Sequence, residues 1–269
     1  MEPGDLNELN KYRRPEYYKD TKDEEYLKRI NSVLREEEIK DYVNIPVRYP
    51  YLFVFGLPRS GTTLMTQILI KAMDLGYINN FIARFCFSSL TGIKLFRLIL
   101  GNASEPSLSS NYGSTTDIFD LHEFGYFWRA WLKMDSIQKI IQIKQREREI
   151  NWDGLRLILA NIQQEFGKSM CMKNIFGAYH LPKLTKEIPE SIWIYIERHP
   201  LDVAISILQA RKEFYLNPNQ WWSTIPLEYN QLKNNNYIDQ IAGQVYYLRQ
   251  LYKRQLRKLE SKHIIKVDY

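Results

Sequence analysis

The sequence predicts a three-layer α/β domain in which a central parallel sheet carries helices on both faces. Three observations predict it. Residues 51–55 (YLFVF) are all apolar or aromatic, and residues 191–197 (SIWIYIE) are rich in β-branched and aromatic side chains. Runs without polar alternation suit strands buried on both faces of a parallel sheet. Each of these runs also leads directly into a segment that opens a helix, which puts ligands at strand carboxyl ends. Shorter candidate strands at 169–172 and 263–267 complete the sheet.

Residues 56–61 (GLPRSG) break the first strand, and 62–71 reads as a helix. The unpaired backbone N–H groups of such a turn and of the first helical turn point at one spot, where the helix dipole also favours negative charge. This is a phosphate site of the P-loop nucleotide-binding kind. A Walker A loop, however, reads G-x-x-x-x-G-K-[ST]. Here Gly56 and Gly61 have that spacing, but Thr62 stands where Lys belongs. The cation lies inside the loop, at Arg59, and Thr62 and Thr63 bring two adjacent hydroxyls. That pattern argues against a nucleoside triphosphatase. The stretch GLPRSGTTL closely resembles the 5′-phosphosulfate loop of the sulfotransferases that use 3′-phosphoadenosine-5′-phosphosulfate (PAPS). Its Arg form is similar to the tyrosylprotein and bacterial branches, whereas the cytosolic branch carries Lys.

Composition is compatible with this reading. The 269 residues can bury a substantial core, and 45% hydrophobic with 25% charged residues is ordinary for a soluble globular protein. A net charge of +6 suits an anionic donor and an anionic acceptor. No basic stripe interleaved with exposed aromatics points to nucleic acid. Cys86 and Cys171 form neither a disulfide framework nor a metal-ligand pattern and read as core thiols. Glu2 and Asp5 occupy the N-terminus in place of a signal peptide's basic region, and no apolar run reaches the roughly 18 residues of a membrane span. The expectation is a cytoplasmic protein without a metal, unlike the membrane-anchored Golgi sulfotransferases.

Taken in order, residues 1–48 form a charged lead-in to a catalytic domain at 49–269. A helix at 24–42 is expected to turn Tyr26, Leu27, Ile30, Val33 and Leu34 inward. Gly76 is expected to end the loop helix, and a further helix to span about 88–100. Residues 101–116 (GNASEPSLSSNYGSTT) carry no periodicity and read as a loop on the acceptor side. Residues 117–131 (DIFDLHEFGYFWRAW) read as a buried helix or an aromatic wall. Residues 135–149 read as a solvated basic helix and 152–166 as an amphipathic one packing through Leu155, Ile158, Leu159 and Ile162. A helix near 179–188 precedes the second strong strand. A long helix at 238–259 offers Tyr246, Tyr247, Leu248, Leu251 and Leu256 to the core.

The second strand runs into RHPLDVAIS, residues 198–206. Pro200 suits a first helical turn, and Asp202 complements the dipole there. The segment resembles the 3′-phosphate-binding element of the sulfotransferases, which implies that Arg198 and Ser206 grip the phosphate distinguishing PAPS from ordinary nucleotides. The family's pattern further implies that Lys173 faces the transferred group and that Tyr269, ending the last strand, approaches the adenine. Where cytosolic members place a catalytic His, two residues beyond that Lys, this chain has Ile175. The base must therefore come from elsewhere. His122-Glu123 is the only His beside a carboxylate, and Tyr126, Phe127 and Trp128 would desolvate it. Glu123 is the first candidate and His122 the second. Family members continue beyond this Tyr, so the resemblance also implies a shortened C-terminus.

The reaction so implied is transfer of a sulfuryl group from PAPS to a hydroxyl or amine, leaving adenosine 3′,5′-bisphosphate (PAP). Arg59, the loop and helix amides of Ser60, Gly61, Thr62 and Thr63, and the two Thr hydroxyls would stabilise charge on the leaving phosphate. Lys173 would neutralise the sulfuryl oxygens. The acceptor class stays open among small molecules, glycans, lipids and peptides, as does the oligomeric state. Two alternatives stay open beside it: an inactive PAP- or PAPS-binding module, and a small-molecule phosphotransferase.

Overall fold

The computed structural model describes residues 10–101, 106–110, 113 and 115–269. Parts of the lead-in and of the 101–116 loop therefore lie outside the described residues. The two apolar runs form the middle of a parallel sheet. Its strands are β1 (Tyr51–Gly56), β2 (Met170–Lys173), β3 (Ser191–Glu197) and β4 (Ile264–Asp268), in the order β2-β1-β3-β4. All pairings are parallel, with Val54 opposite Lys173, Gly56 opposite Ile196 and Glu197 opposite Asp268.

Alternation along the strands builds the three layers. Tyr51, Phe53, Phe55, Met170, Met172, Trp193 and Tyr195 enter the larger core. Leu52, Val54, Cys171, Ile194 and Ile196 enter a smaller one on the other face. Each fully buried large apolar side chain contributes about 1.5–3 kcal/mol relative to exposure, so the sheet fixes the frame of the molecule. Cys86 and Cys171 are buried free thiols, as expected, and burial pushes each up to about 12.

The helices follow in chain order. They are α1 (Thr21–Glu38), α2 (Thr62–Met73), α3 (Asn80–Ala83), α4 (Ser89–Leu100) and α5 (Gly125–Trp131). Then come α6 (Ile137–Ile141), α7 (Ile143–Glu149), α8 (Trp152–Phe166), α9 (Leu181–Glu187), α10 (Pro200–Phe214), α11 (Tyr229–Leu232) and α12 (Tyr237–Leu256). The strand order reverses at β1: the chain goes first to β2 on one side and later to β3 on the other. Connections diverge at such a point and leave a crevice beyond the strand ends.

Several expectations change. In α1, Tyr26 and Val33 are exposed, and the buried residues are polar ones, Asn31 and Glu38. Asn31 donates to the Arg84 carbonyl at 2.7 Å and accepts from the Phe87 amide at 2.9 Å. Glu38 accepts from the Thr91 amide and hydroxyl at 2.7 and 2.8 Å. This helix docks through hydrogen bonds to α4 and its approach, which an apolar periodicity does not register. The loop helix ends at Met73 with Asp74 left-handed (φ 43°), and Gly76 instead lies beside β2 in a bridge to Met170.

The 135–149 segment is two short helices meeting at Gln142. Arg146 turns inward, fully buried, and donates to the Ile140 carbonyl at 2.7 Å and to His180 Nε2 at 3.1 Å. Two carbonyls and an imidazole solvate its charge, so this part is not a solvated face. Tyr246 on α12 is exposed, while Leu248, Leu251 and Leu256 are buried as expected. Among the described residues no helix is long and apolar enough to cross a membrane.

Candidate active site at the carboxyl ends of the strands

The site begins where β1 stops. Leu57 to Gly61 turn the chain away from the sheet, and Gly61 (φ 87°) leads into α2. No side chain caps this helix, so its first-turn amides remain available to an anion. Arg59 is itself left-handed (φ 68°), a conformation costing a non-glycine residue about 1 kcal/mol or more and one that concentrates at functional turns. Ser60 is fully buried, and its hydroxyl has no hydrogen-bond partner among the described residues. An orphaned buried hydroxyl inside an uncapped loop is what an absent polar ligand would satisfy.

Residues expected at the two phosphate elements meet. Arg59 Nε donates to Ser206 Oγ on α10 at 3.0 Å. Arg198, at the end of β3, donates to the Arg59 carbonyl at 2.8 Å. The loop after β1 and the loop after β3 are thus tied together across adjacent strands. Tyr269 follows β4, and its amide donates to the Glu197 carbonyl at 2.9 Å. Its ring lies 5.2 Å from the Arg198 guanidinium carbon and packs on Gly61, where an added Cβ would come within 3.0 Å of it. Only glycine combines that close approach with the positive φ.

A second group assembles at the end of β2. Lys173 is buried and donates to Thr63 Oγ1 at 2.9 Å, and its ammonium is paired with the Glu123 carboxylate. Glu123, at 35% side-chain exposure, is open enough for a substrate to reach. Residues 117–122 hold it there because they are laced to 78–81. Asn79 bridges Leu121, the Asn80 amide donates to the Asp120 carbonyl at 3.0 Å, and the His122 amide donates to the Ile78 carbonyl at 2.9 Å.

His122 plays a different part. Its Nδ1 accepts from the Phe124 amide at 2.9 Å, while Phe124 sits in the left-handed region (φ 56°) as α5 begins. Burial lowers the imidazole's pKa, partly offset by the neighbouring Glu123. The ring is therefore neutral with its proton on Nε2, and the Nδ1 lone pair is already used in holding the turn that presents Glu123.

Sequence reasoning missed Gly113, the link from Tyr126 to the N-terminal segment, and the pairing of Lys173 with Glu123. Gly113 (φ 85°) packs over the pair, where an added Cβ would lie 3.3 Å from Thr63 Oγ1, 3.4 Å from Lys173 Nζ and 3.8 Å from Glu123 Oε1. The Ser- and Gly-rich composition of that loop was the available signal. Gln67 of α2 pins the described part of the loop by donating to the carbonyls of Ser107 at 2.8 Å and Ser109 at 3.2 Å. Tyr126 accepts from Lys19 at 2.6 Å and donates to Glu24 at 2.9 Å, which ties the N-terminal segment to α5. Ile175 lies two residues beyond Lys173.

A family model described as the sulfotransferase family matches residues 50–269. The chain belongs to the sulfotransferase family. Its backbone is similar to that of sulfotransferase STF9 from Mycobacterium avium, with a TM-score of 0.53 and 14% identity over 88% of this chain and 63% of that one. Sulfotransferase STF1 from Mycobacterium tuberculosis H37Rv is similar to the same degree, with a TM-score of 0.53 and 14% identity over 89% of this chain and 68% of that one. At such identity the likeness is one of fold, and the fold is the P-loop-like α/β sheet of those neighbours. This sulfotransferase-family chain spans 63% of the length of the M. avium protein. No curated protein matches it.

Proposed function

We propose that the protein transfers a sulfuryl group from PAPS to a hydroxyl or amine acceptor. The observation that carries this reading is the meeting of Lys173, Glu123 and Thr63 beside the uncapped start of α2. A base candidate and a buried cation there adjoin an anion-binding loop. PAPS supplies the activated sulfuryl group and a stable leaving phosphate. The amides of Ser60 to Thr63, with the orphaned Ser60 hydroxyl, bind the 5′-phosphosulfate end. Arg198 and Ser206, joined through Arg59, bind the 3′-phosphate. Tyr269 supplies a face for the purine. Lys173 draws charge from the sulfuryl oxygens, and Glu123 takes the acceptor's proton once the acceptor lies between it and the sulfur. No metal is required, since arginine, lysine and backbone dipoles supply the positive field.

The unit performing this reaction runs from 49 to 269, with 1–48 as a structural lead-in. The acceptor is a small molecule, glycan, lipid or peptide, reached in the cytoplasm. Calorimetry with PAP, PAPS and ATP in the absence of magnesium, beside transfer assays with sulfur-labelled donor and an acceptor panel, tests the proposal. Binding of PAP well above ATP, together with label transfer, supports it. Equal binding of PAP and ATP at one salt concentration defeats the donor assignment. Tight PAP binding without label transfer to any acceptor makes the protein a binding module instead.

A further inference from the structure

A cavity of about 240 Å³ lies between α1, α4, α5 and α8, away from the strand ends. Phe127 and Trp131, four residues apart on α5, share one helical face and form a wall of it. Phe87 and Ile158 line it from other elements. None of Thr63, Glu123 and Lys173 and no residue of the 57–61 loop lines it, so this is a different place from the transfer centre. Its walls are mainly aromatic and aliphatic, with Ser89 and Asn151 as neutral polar groups among them.

The mouth is cationic. Arg35 and Lys133 both line it, and neither has an ion-pair or side-chain hydrogen-bond partner among the described residues. Lys133 holds a left-handed backbone (φ 55°) just past α5, a position that usually takes glycine. The nearby carboxylate, Glu38, uses its oxygens on Thr91 and Tyr42 and forms no ion pair with Arg35 or Lys133, so its single charge offsets only part of theirs. The Cys86 thiol on the wall is uncharged at neutral pH, since burial pushes it up to about 12. Apolar walls with a few convergent polar groups are the ordinary makings of a small-molecule site. Aromatic rings against aromatic walls and an anionic group within reach of Arg35 or Lys133 satisfy both parts at once.

We propose that this cavity binds a small aromatic acid, one or two fused rings carrying a carboxylate or sulfonate. Its volume falls below the range of about 300–1,000 Å³ typical of drug-sized ligands, which restricts the ring system. The site is independent of the donor site, and its test does not require turnover.

The probes are 2-naphthoate, naphthalene-2-sulfonate and the neutral 2-naphthylmethanol, titrated into the full chain by calorimetry and ligand-observed NMR. Both acids should bind at least about tenfold more tightly than the alcohol, the scale of a charge-assisted contact. The double variant Arg35→Met/Lys133→Met should erase that advantage and leave the alcohol unchanged. Ile158→Trp should fill the cavity and abolish binding of all three, with thermal unfolding confirming that the variant is folded. Saturating PAP should leave the acids' affinity unchanged. No binding, equal binding of acid and alcohol, an unaltered preference in the double variant, or competition by PAP would each overturn the assignment. Competition would place the probes in the transfer site.

Discussion

The two halves of the proposed site, one assigned to the donor and one to the acceptor, are built differently. The donor half uses loops that follow directly from β1 and β3, adjacent strands whose register sets Gly56 opposite Ile196. Its groups are backbone amides, a helix start, Arg198 at the end of a strand, and Ser206 about two turns into α10. The acceptor half gathers Thr63, Glu123 and Lys173 from α2, from the end of the 117–123 segment and from β2. Nothing local to any one of these implies the other two. The donor half owes its geometry to the sheet, whereas the acceptor half depends on an ion pair and on the hydrogen bonds lacing 117–122 to 78–81. The first follows largely from the strand register, with Arg198 and Ser206 tying its loops together. The second can be dismantled by single substitutions without touching the first.

The largest effect should come from Glu123→Gln, which keeps shape and removes the proton acceptor. Turnover should fall about 10²–10⁴-fold, the usual worth of general base catalysis. PAP affinity should stay within about twofold, because the donor half makes no use of this side chain. Loss of PAP binding in this variant would show the halves to be one unit and dissolve the distinction. Next in size is Arg198→Ala. Removing the guanidinium that holds the Arg59 carbonyl should weaken PAP binding by about 1.5–3 kcal/mol, the scale of a hydrogen bond to a charged group. ATP lacks the 3′-phosphate, so its weak binding should hardly change. An equal loss for both nucleotides would make Arg198 a loop support and not a 3′-phosphate ligand.

Legibility in the sequence follows the same division. The YLFVF and SIWIYIE strands, the GLPRSG turn and the place of Arg198 at a strand end are legible because each is a local feature: apolar runs, a glycine-bounded turn, a cation after a strand. Lys173 and Glu123 were readable as candidates but not as a pair, since 50 residues separate them and an ion pair leaves no periodic trace. The α1 packing was misread for a related reason. Tyr26 and Val33 satisfy an apolar pattern yet face solvent, while Asn31 and Glu38 carry the contact through hydrogen bonds. A charged residue such as Arg146 reads as solvent-facing because charge usually goes there. Its burial rests on carbonyls and on His180, partners supplied by a helix break that no proline or glycine announces.

Arg59 sharpens the comparison, since it spans two elements of the donor half. Its side chain reaches Ser206, while its carbonyl is held by Arg198. Arg59→Ala and Ser206→Ala should each weaken PAP binding, and the double variant should lose less than the sum of the two. A coupling energy of about 1 kcal/mol is expected for partners sharing a hydrogen bond. Strict additivity would mean that the contact breaks when the nucleotide enters, and that Arg59 then turns to the leaving phosphate. Turnover at saturating donor separates those cases, since a residue acting on the leaving phosphate lowers it beyond the loss in affinity.

The smallest effect concerns His122 and tests what supports the acceptor half. The neutral ring accepts the Phe124 amide at Nδ1 and so holds the left-handed turn behind Glu123. Protonation would put a second donor against that amide. Because burial places the folded-state pKa below the ordinary value, the unfolded chain takes up the proton first. This contribution to stability is therefore complete above about pH 6.5, the unperturbed histidine value, and is lost as pH falls through the lower folded value. His122→Ala should cost about 0.5–1 kcal/mol near neutral pH, a single hydrogen bond, and lower turnover modestly while PAP binding holds. His122→Asn offers an oxygen in place of Nδ1, so it should recover both stability and turnover and flatten the acid limb of a denaturation series relative to the native chain. His180, also lowered by burial, stays in both proteins and cancels from that difference. If the Asn variant folds normally yet loses turnover as deeply as Glu123→Gln, the imidazole is the proton acceptor and the carboxylate its partner.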